Sequence, residues 1–216
     1  IQRFVTKFDG TNNNWYLAIQ SNGKLRFNVR TPESEIDSSR SDLQDGNWHH
    51  VCGVFDASSS TKVYVDGSLE GTDTTNIPSA IDNDTVNLFL GAVGDGSLPL
   101  NGDLNEVGIW NTALDADAIS AIYNSGTPLN LNANSGNYDN ASNLVSYWRN
   151  NGTKTWTDLK GSNNGTVNGS PTTFLLTEGI TSGRDSAGFF LIDETAVADG
   201  IRFYGDGYIP TPDSPA

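Results

Sequence analysis

The sequence predicts an all-β sandwich that carries one short helix. Three observations lead there. Short apolar or alternating runs recur between turn signals, among them Ser21-Asn22-Gly23, Asp45-Gly46 and Asp66-Gly67. In Lys24–Arg30 the residues Leu25, Phe27 and Val29 fall on one face at period two, the spacing of a half-buried strand. One stretch, Ala116–Asn124, has the spacing of an amphipathic helix, with a cap before it and breakers after it. A chain of 216 residues suits one large all-β domain, or one domain with an extension.

The elements follow in order. Ile1–Lys7 and Trp15–Gln20 read as strands around the loop Asp9–Asn14, and Lys24–Arg30 follows the tight turn. Thr31–Leu43 is polar and reads as a loop or weak edge strand. The stretch Asp45–Gly67 then organises the chain. Trp48–Phe55 is a strand, Asp56–Ser60 a polar loop, and Lys62–Val65 a second strand that ends in an Asp-Gly turn. His49, Val51, Gly53 and Phe55 share one face of the first strand, while Trp48, His50, Cys52 and Val54 share the other. Apolar residues on both faces predict a central strand covered on both sides, with Val51 and Phe55 buried. Ser68–Thr72 returns from the turn, and Val86–Gly91 is a strand with Val86, Leu88 and Leu90 inward. A glycine-rich loop, Gly94–Asn101, leads into a strand over Gly102–Trp110. The helix comes next. Asp115 caps its amides, Ala118, Ile119, Ile122 and Tyr123 make the apolar stripe, and Gly126 with Pro128 stops it. Leu129–Asn143 is rich in Asn, Ser and Gly.

Two stretches carry a family resemblance. Trp48-His49-His50-Val51-Cys52-Gly53-Val54-Phe55-Asp56, with Val63-Tyr64-Val65-Asp66-Gly67, is one. Gly102-Asp103-Leu104-Asn105-Glu106-Val107-Gly108-Ile109-Trp110-Asn111-Thr112-Ala113-Leu114, followed by Ile119 and Tyr123, is the other. Together they resemble the LamG-like jelly rolls of the concanavalin A-like lectin/glucanase superfamily. The resemblance implies a jelly-roll β-sandwich and says far less about function, since this superfamily holds lectins, adhesion modules, hydrolases and structural domains. Further on, Asn143–Trp148 and Gly165–Gly169 resemble the opening of another such unit. Gly200–Pro210, with Asp213-Ser214-Pro215, resembles the family's first core strand, which in an ordinary member precedes the material found here at Ile1. The order is therefore rotated, as in a permuted domain or a piece of an array. The expected division is residues 1–128 as the main part of a sandwich, 129–142 as a linker or long loop, and 143–216 as an opening segment. Its last strand, 201–209, would complete a sandwich in the same chain or in a neighbour. The chain has no methionine and opens inside a strand-like pattern, so a fragment or processed product is expected.

Composition removes some function classes. Twelve Lys and Arg stand against 26 Asp and Glu, a formal net charge of −14, and the basic residues form no stripe. Nucleic acid and anionic membrane are unsuitable partners for such a surface. No apolar run reaches membrane-spanning length. Cys52 is the single cysteine, so no disulfide within the chain is possible, and a core role is expected for it.

A retaining glycosidase needs two carboxylates about 5 Å apart. No alternating acidic run supplies them: Asp103 and Glu106 are three apart, and Asn105 stands where the resembled family often has Asp. No catalytic residue is expected, and the chain is read as non-enzymatic. His49 and His50 are adjacent in a strand, point to opposite faces, and cannot chelate one metal as neighbours. Calcium takes oxygens from loops. Asp82 and Asp84 precede the strand Val86–Gly91 and Asp95 follows it, so those ends cannot share an ion, whereas Asp95 and Asp103 lie at one end of an expected hairpin and are the candidate metal ligands. Trp15, Tyr16, Trp110, Trp148 and Trp156 are candidate sugar platforms. The expected function is a structural or adhesive module of a virion or other extracellular appendage, partnered by copies of itself through strand addition. The alternative is a lectin-like module for a surface glycan, with calcium as its one possible cofactor.

Overall fold

A computed structural model of the chain describes residues 1–8, 13–30, 33–81, 86–149 and 155–168. The chain divides into two compact units, Ile1–Leu100 with Trp110–Asn143, and Asn101–Ile109 with Leu144–Ala216. The described residues are mostly β, with one short helix.

The first unit is a sandwich. Its larger sheet holds β1 (Gln2–Phe8), β2 (Asn13–Ile19), β3 (Leu25–Val29), β4 (Ser34–Asp37) and, later in the chain, Phe89–Leu90 as β8. They are ordered β4-β3-β2-β1-β8. Its smaller sheet holds β5 (Val51–Asp56), β6 (Ser60–Val65) and β7 (Ser68–Asp73), in that order. Period-two patterning decides how they meet. Leu17, Ile19, Leu25, Phe27 and Val29 pack against Val63 and Val65, with Val51, Phe55 and Ile36 closing the edges of this core. Gly53 is required there, because a Cβ would stand 2.6 Å from Cγ and Cδ2 of Phe27. The opposite face of the small sheet is covered by α1 (Ala116–Tyr123). Leu114, Ala118 and Ile119 pack on Val54 and Tyr64, beside Cys52 and Trp110. Asp115 accepts the N–H of Ala118 at 2.8 Å, and Asn124 ends the helix in a left-handed conformation at φ 45°.

β5 is thus covered on both sides, as expected, but it is not central. Among the described residues it is an edge strand and β6 is the middle one. Apolar occupancy of both faces reports the layers above and below a strand, not its hydrogen-bonded neighbours. For the same reason Val51 and Phe55 are only partly buried, and the strand begins at Val51 rather than Trp48. The expected strand over Val86–Gly91 shortens to Phe89–Leu90. The expected strand over Gly102–Trp110 shortens to β9 (Val107–Trp110), because Glu106 takes a left-handed backbone with φ 54°. Residues 129–143 belong to the first unit, where Leu131, Tyr138 and Ala141 are buried.

In the second unit β9 pairs with β10 (Leu144–Trp148), and β11 (Thr155–Trp156) pairs antiparallel with β12 (Gly165–Thr166). Asp158 is its knot. One carboxylate oxygen accepts the N–H of Tyr147, Lys160 and Gly161, and the other accepts that of Asn163, all at 3.0–3.1 Å. Burial pushes Asp158 up, but the four amides outweigh it and hold the carboxyl below its usual range. The strands expected at Phe189–Ile192 and Ile201–Ile209, and the acids Asp82 and Asp84, lie outside the described residues.

Candidate functional site

The larger sheet turns its apolar face to the core and a polar face the other way. Cross-strand register builds that polar face as two ladders. In one, Thr6 stands opposite Tyr16, Tyr16 opposite Asn28, and Asn28 opposite Glu35. In the other, Arg3 stands opposite Ala18, Ala18 opposite Arg26, and Arg26 opposite Asp37. A register shift between Arg3 and Val5 puts Arg3 and Thr6 on the same side of β1.

The β4 end of this face is charged, partly exposed and well matched. Arg26 makes a two-point contact with Asp37, at 2.6 and 2.8 Å, and reaches Glu35 at 2.6 Å. Asn28 donates to Glu33 at 2.9 Å and to Glu35 at 3.3 Å, and the Tyr16 hydroxyl donates to Glu35 at 3.4 Å. Arg30 pairs with Glu33 at 3.5 Å.

The β1 end is different. Arg3 is only 6% exposed, and its guanidinium lies 3.3 Å from the centre of the Tyr16 ring. Among the described residues its Nε and Nη1 have no hydrogen-bond partner, and neither do Thr6 Oγ1 and Asn28 Oδ1, on residues that are fully buried, although Arg3 has a side-chain hydrogen bond with Tyr16. Burial lowers the Arg3 pKa; Tyr16 opposes that effect, while Arg30 and Arg26 add to it. Buried donors and acceptors normally find partners, so these atoms are exceptions, and with under 1 Å² of accessible surface each they are closed to solvent.

Other sequence candidates fall elsewhere. His49 is held between Asp66 (Nδ1, 2.9 Å) and Asp45 (Nε2, 3.2 Å), and Arg40 reaches the same Asp66 oxygen at 3.0 Å. This ties the segment before β5 to the β6–β7 turn. His50 lies against Tyr123 with ring centres 6.1 Å apart, and burial lowers its pKa. Burial pushes the Cys52 thiol up to about 12, which leaves it no thiolate at neutral pH. Glu106 accepts the Tyr147 hydroxyl and the Arg149 Nε–H, the latter at 2.7 Å, so both carboxylate oxygens are engaged. Asp103 lies in the second unit and Asp95 in the first. Hydrogen bonds from the Ser97 side chain and then from its N–H, the latter at 2.8 Å, lower the pKa of Asp95. Among the described residues no three His, Cys, Asp or Glu side chains assemble to hold a metal. Of the proposed sugar platforms, Trp148 and Trp156 are buried, Trp110 packs edge-on against Tyr138, and Tyr16 is covered by Arg3. The exposed tryptophan is Trp48, at 41%. No helix of the described residues is long and apolar enough to cross a membrane, which says nothing about membrane-spanning strands.

Fold and site together define a β-sandwich with one apolar and one polar face on its larger sheet. The chain belongs to the concanavalin A-like lectin/glucanases superfamily, whose family model matches residues 1–120. A crystal structure from Bacteroides ovatus, of a protein provisionally described as carbohydrate binding, has a similar fold. Its TM-score is 0.56 at 18% identity, over 78% of this chain and 49% of that one. The chain thus spans about half the length of that protein. An S-layer domain-containing protein from Clostridium thermocellum aligns at 24% identity over 54% of this chain and 59% of that one, with a TM-score of 0.33. No curated protein matches the chain.

Proposed function

We propose that this chain is a non-enzymatic, lectin-like module that recognises a glycan with the polar face of its larger sheet. The observation that carries the reading is the partly exposed array of Arg26, Glu35 and Asp37 on that face, held by ion pairs at 2.6 Å. Sugars are bound by such converging donors and acceptors, each hydroxyl serving as both. The carbohydrate-binding description of the Bacteroides ovatus protein agrees with this. Against hydrolysis, Glu106 is neutralised by Arg149 and spent on Tyr147, which leaves it unsuited to act as acid or base. The setting proposed is an extracellular or virion appendage. Retention on a glycan array, lost on replacing Glu35 by Ala while the melting temperature holds, supports the reading. No retention on any glycan, or release of reducing sugar from β-glucan that depends on Glu106, overturns it.

Strand addition between copies is a second reading, favoured by the edge position of β5 among the described residues. Deleting Asp199–Ala216 would then abolish self-association in sedimentation. A chain that is monomeric with and without that segment removes this reading.

A further inference from the structure

We infer that the last turn of α1 is an acid-sensitive latch, seated on His50 and released from the smaller sheet when that ring takes up a proton. The latch regulates the sandwich itself and does not depend on the glycan reading. Three segments meet at it. Asp66 accepts the His50 N–H at 3.0 Å and donates its own N–H to the His50 carbonyl at 2.8 Å, so the β6–β7 turn fixes the backbone of His50. Gly67 of the same turn packs against the helix. A Cβ there would stand 3.0 Å from Cδ1 of Tyr123 and 3.4 Å from Cα of Ser120. The His50 ring lies against Tyr123, with ring centres 6.1 Å apart. Because the turn holds His50, the side of this contact that can move is the helix.

The ring suits this contact only while neutral. Among the described residues its Nδ1 is closed to solvent and has no hydrogen-bond partner. In the imidazolium both ring nitrogens carry protons, so Nδ1 would become a buried donor with no acceptor. Burial lowers the His50 pKa, and the attraction of Asp66 opposes this without cancelling it. The Asp66 carboxylate is already shared among the His50 N–H, His49 and Arg40. From α1 the ring meets Tyr123, while Asp117 stands in the first turn, at the other end of the helix. Cys52, two residues on, keeps its thiol protonated, since burial pushes it up to about 12. A base whose folded pKa is lowered loses stability as pH falls below its unfolded value, about 6.5. The contact is therefore whole at neutral pH and weakens in mild acid. Lifting the helix would uncover the apolar cluster of Leu114, Ala118 and Ile119 on Val54 and Tyr64.

The test is amide hydrogen exchange of the full chain between pH 7 and 5, corrected for intrinsic rates and read at Ile119, Ile122 and Tyr123. Opening linked to the uptake of one proton should rise by up to about tenfold per pH unit below pH 6.5. His50→Phe keeps an aromatic ring against Tyr123 and removes the titration, so its opening should not change with pH. In the unmodified protein the His50 ring should titrate below pH 6.5, and the Tyr123 ring resonances should move with it. That measurement tests the contact even if the variant fails to fold. Opening that does not change with pH overturns the inference. So does the same pH dependence in His50→Phe, which would assign it to another group such as His49. A His50 ring that titrates at or above pH 6.5 overturns it as well.

Discussion

Asp158 gathers four backbone amides, one from β10 and three from the loop between β11 and β12, and it does so while almost fully buried. Asp158→Asn turns one oxygen into an amide donor that faces an N–H, and it removes the charge that strengthens the others. It should cost about 2 kcal/mol at neutral pH, read by denaturant titration. The pH dependence follows from the lowered pKa. The carboxylate contributes fully above its unfolded value of about 3.9 and loses that contribution as pH falls through the folded value. The stability gap between the two proteins should therefore be constant above pH 5 and shrink in more acidic solution. A gap that does not change with pH would show that charge is not what Asp158 supplies. Arg3 teaches a different lesson at this scale. A single arginine in a strand looks like a solvated surface residue. Only the register shift in β1, and the tyrosine that register brings under it, reveal a buried cation with donors to spare.

Elements were legible to different degrees. The helix was, down to its cap, because capping and termination depend on residues next to one another in the chain. Asp115→Ala should cost about 1 kcal/mol, measured by urea denaturation, and an unchanged midpoint would show that packing on Val54 and Tyr64 alone sets the helix. β3 was legible too, since Leu25, Phe27 and Val29 repeat at period two and all three face the core. β5 was legible as a strand and misplaced as central. Its two apolar faces meet two different layers, and nothing in its own residues names a lateral partner. Gly53 shows how tightly the inner face is seated. Gly53→Ala should destabilise the sandwich by about 1–3 kcal/mol, because the new methyl meets the Phe27 ring and not open space. A neutral result in thermal melts would mean that Phe27 can move aside without loss.

For the molecule as a whole, two local signatures, one around Asp45–Gly67 and one around Gly102–Tyr123, named the superfamily that the family match establishes over residues 1–120. The expected calcium ligands Asp95 and Asp103 lie in different units. If calcium binds this chain, millimolar calcium should raise the melting temperature by mass action. An unchanged melting temperature removes the ion. What the sequence determined by itself was everything carried by near neighbours: alternation, turns, the helix cap and the family signature. Only the tertiary structure decided that β5 sits at an edge, that Glu106 is spent on Tyr147 and Arg149, and that Arg3, Thr6, Tyr16 and Asn28 meet on one face. Each of those facts depends on cross-strand register or on contacts between residues far apart in the chain. A one-residue change of register would send every side chain of a strand to the other face, and no local pattern of polar residues records which register is taken.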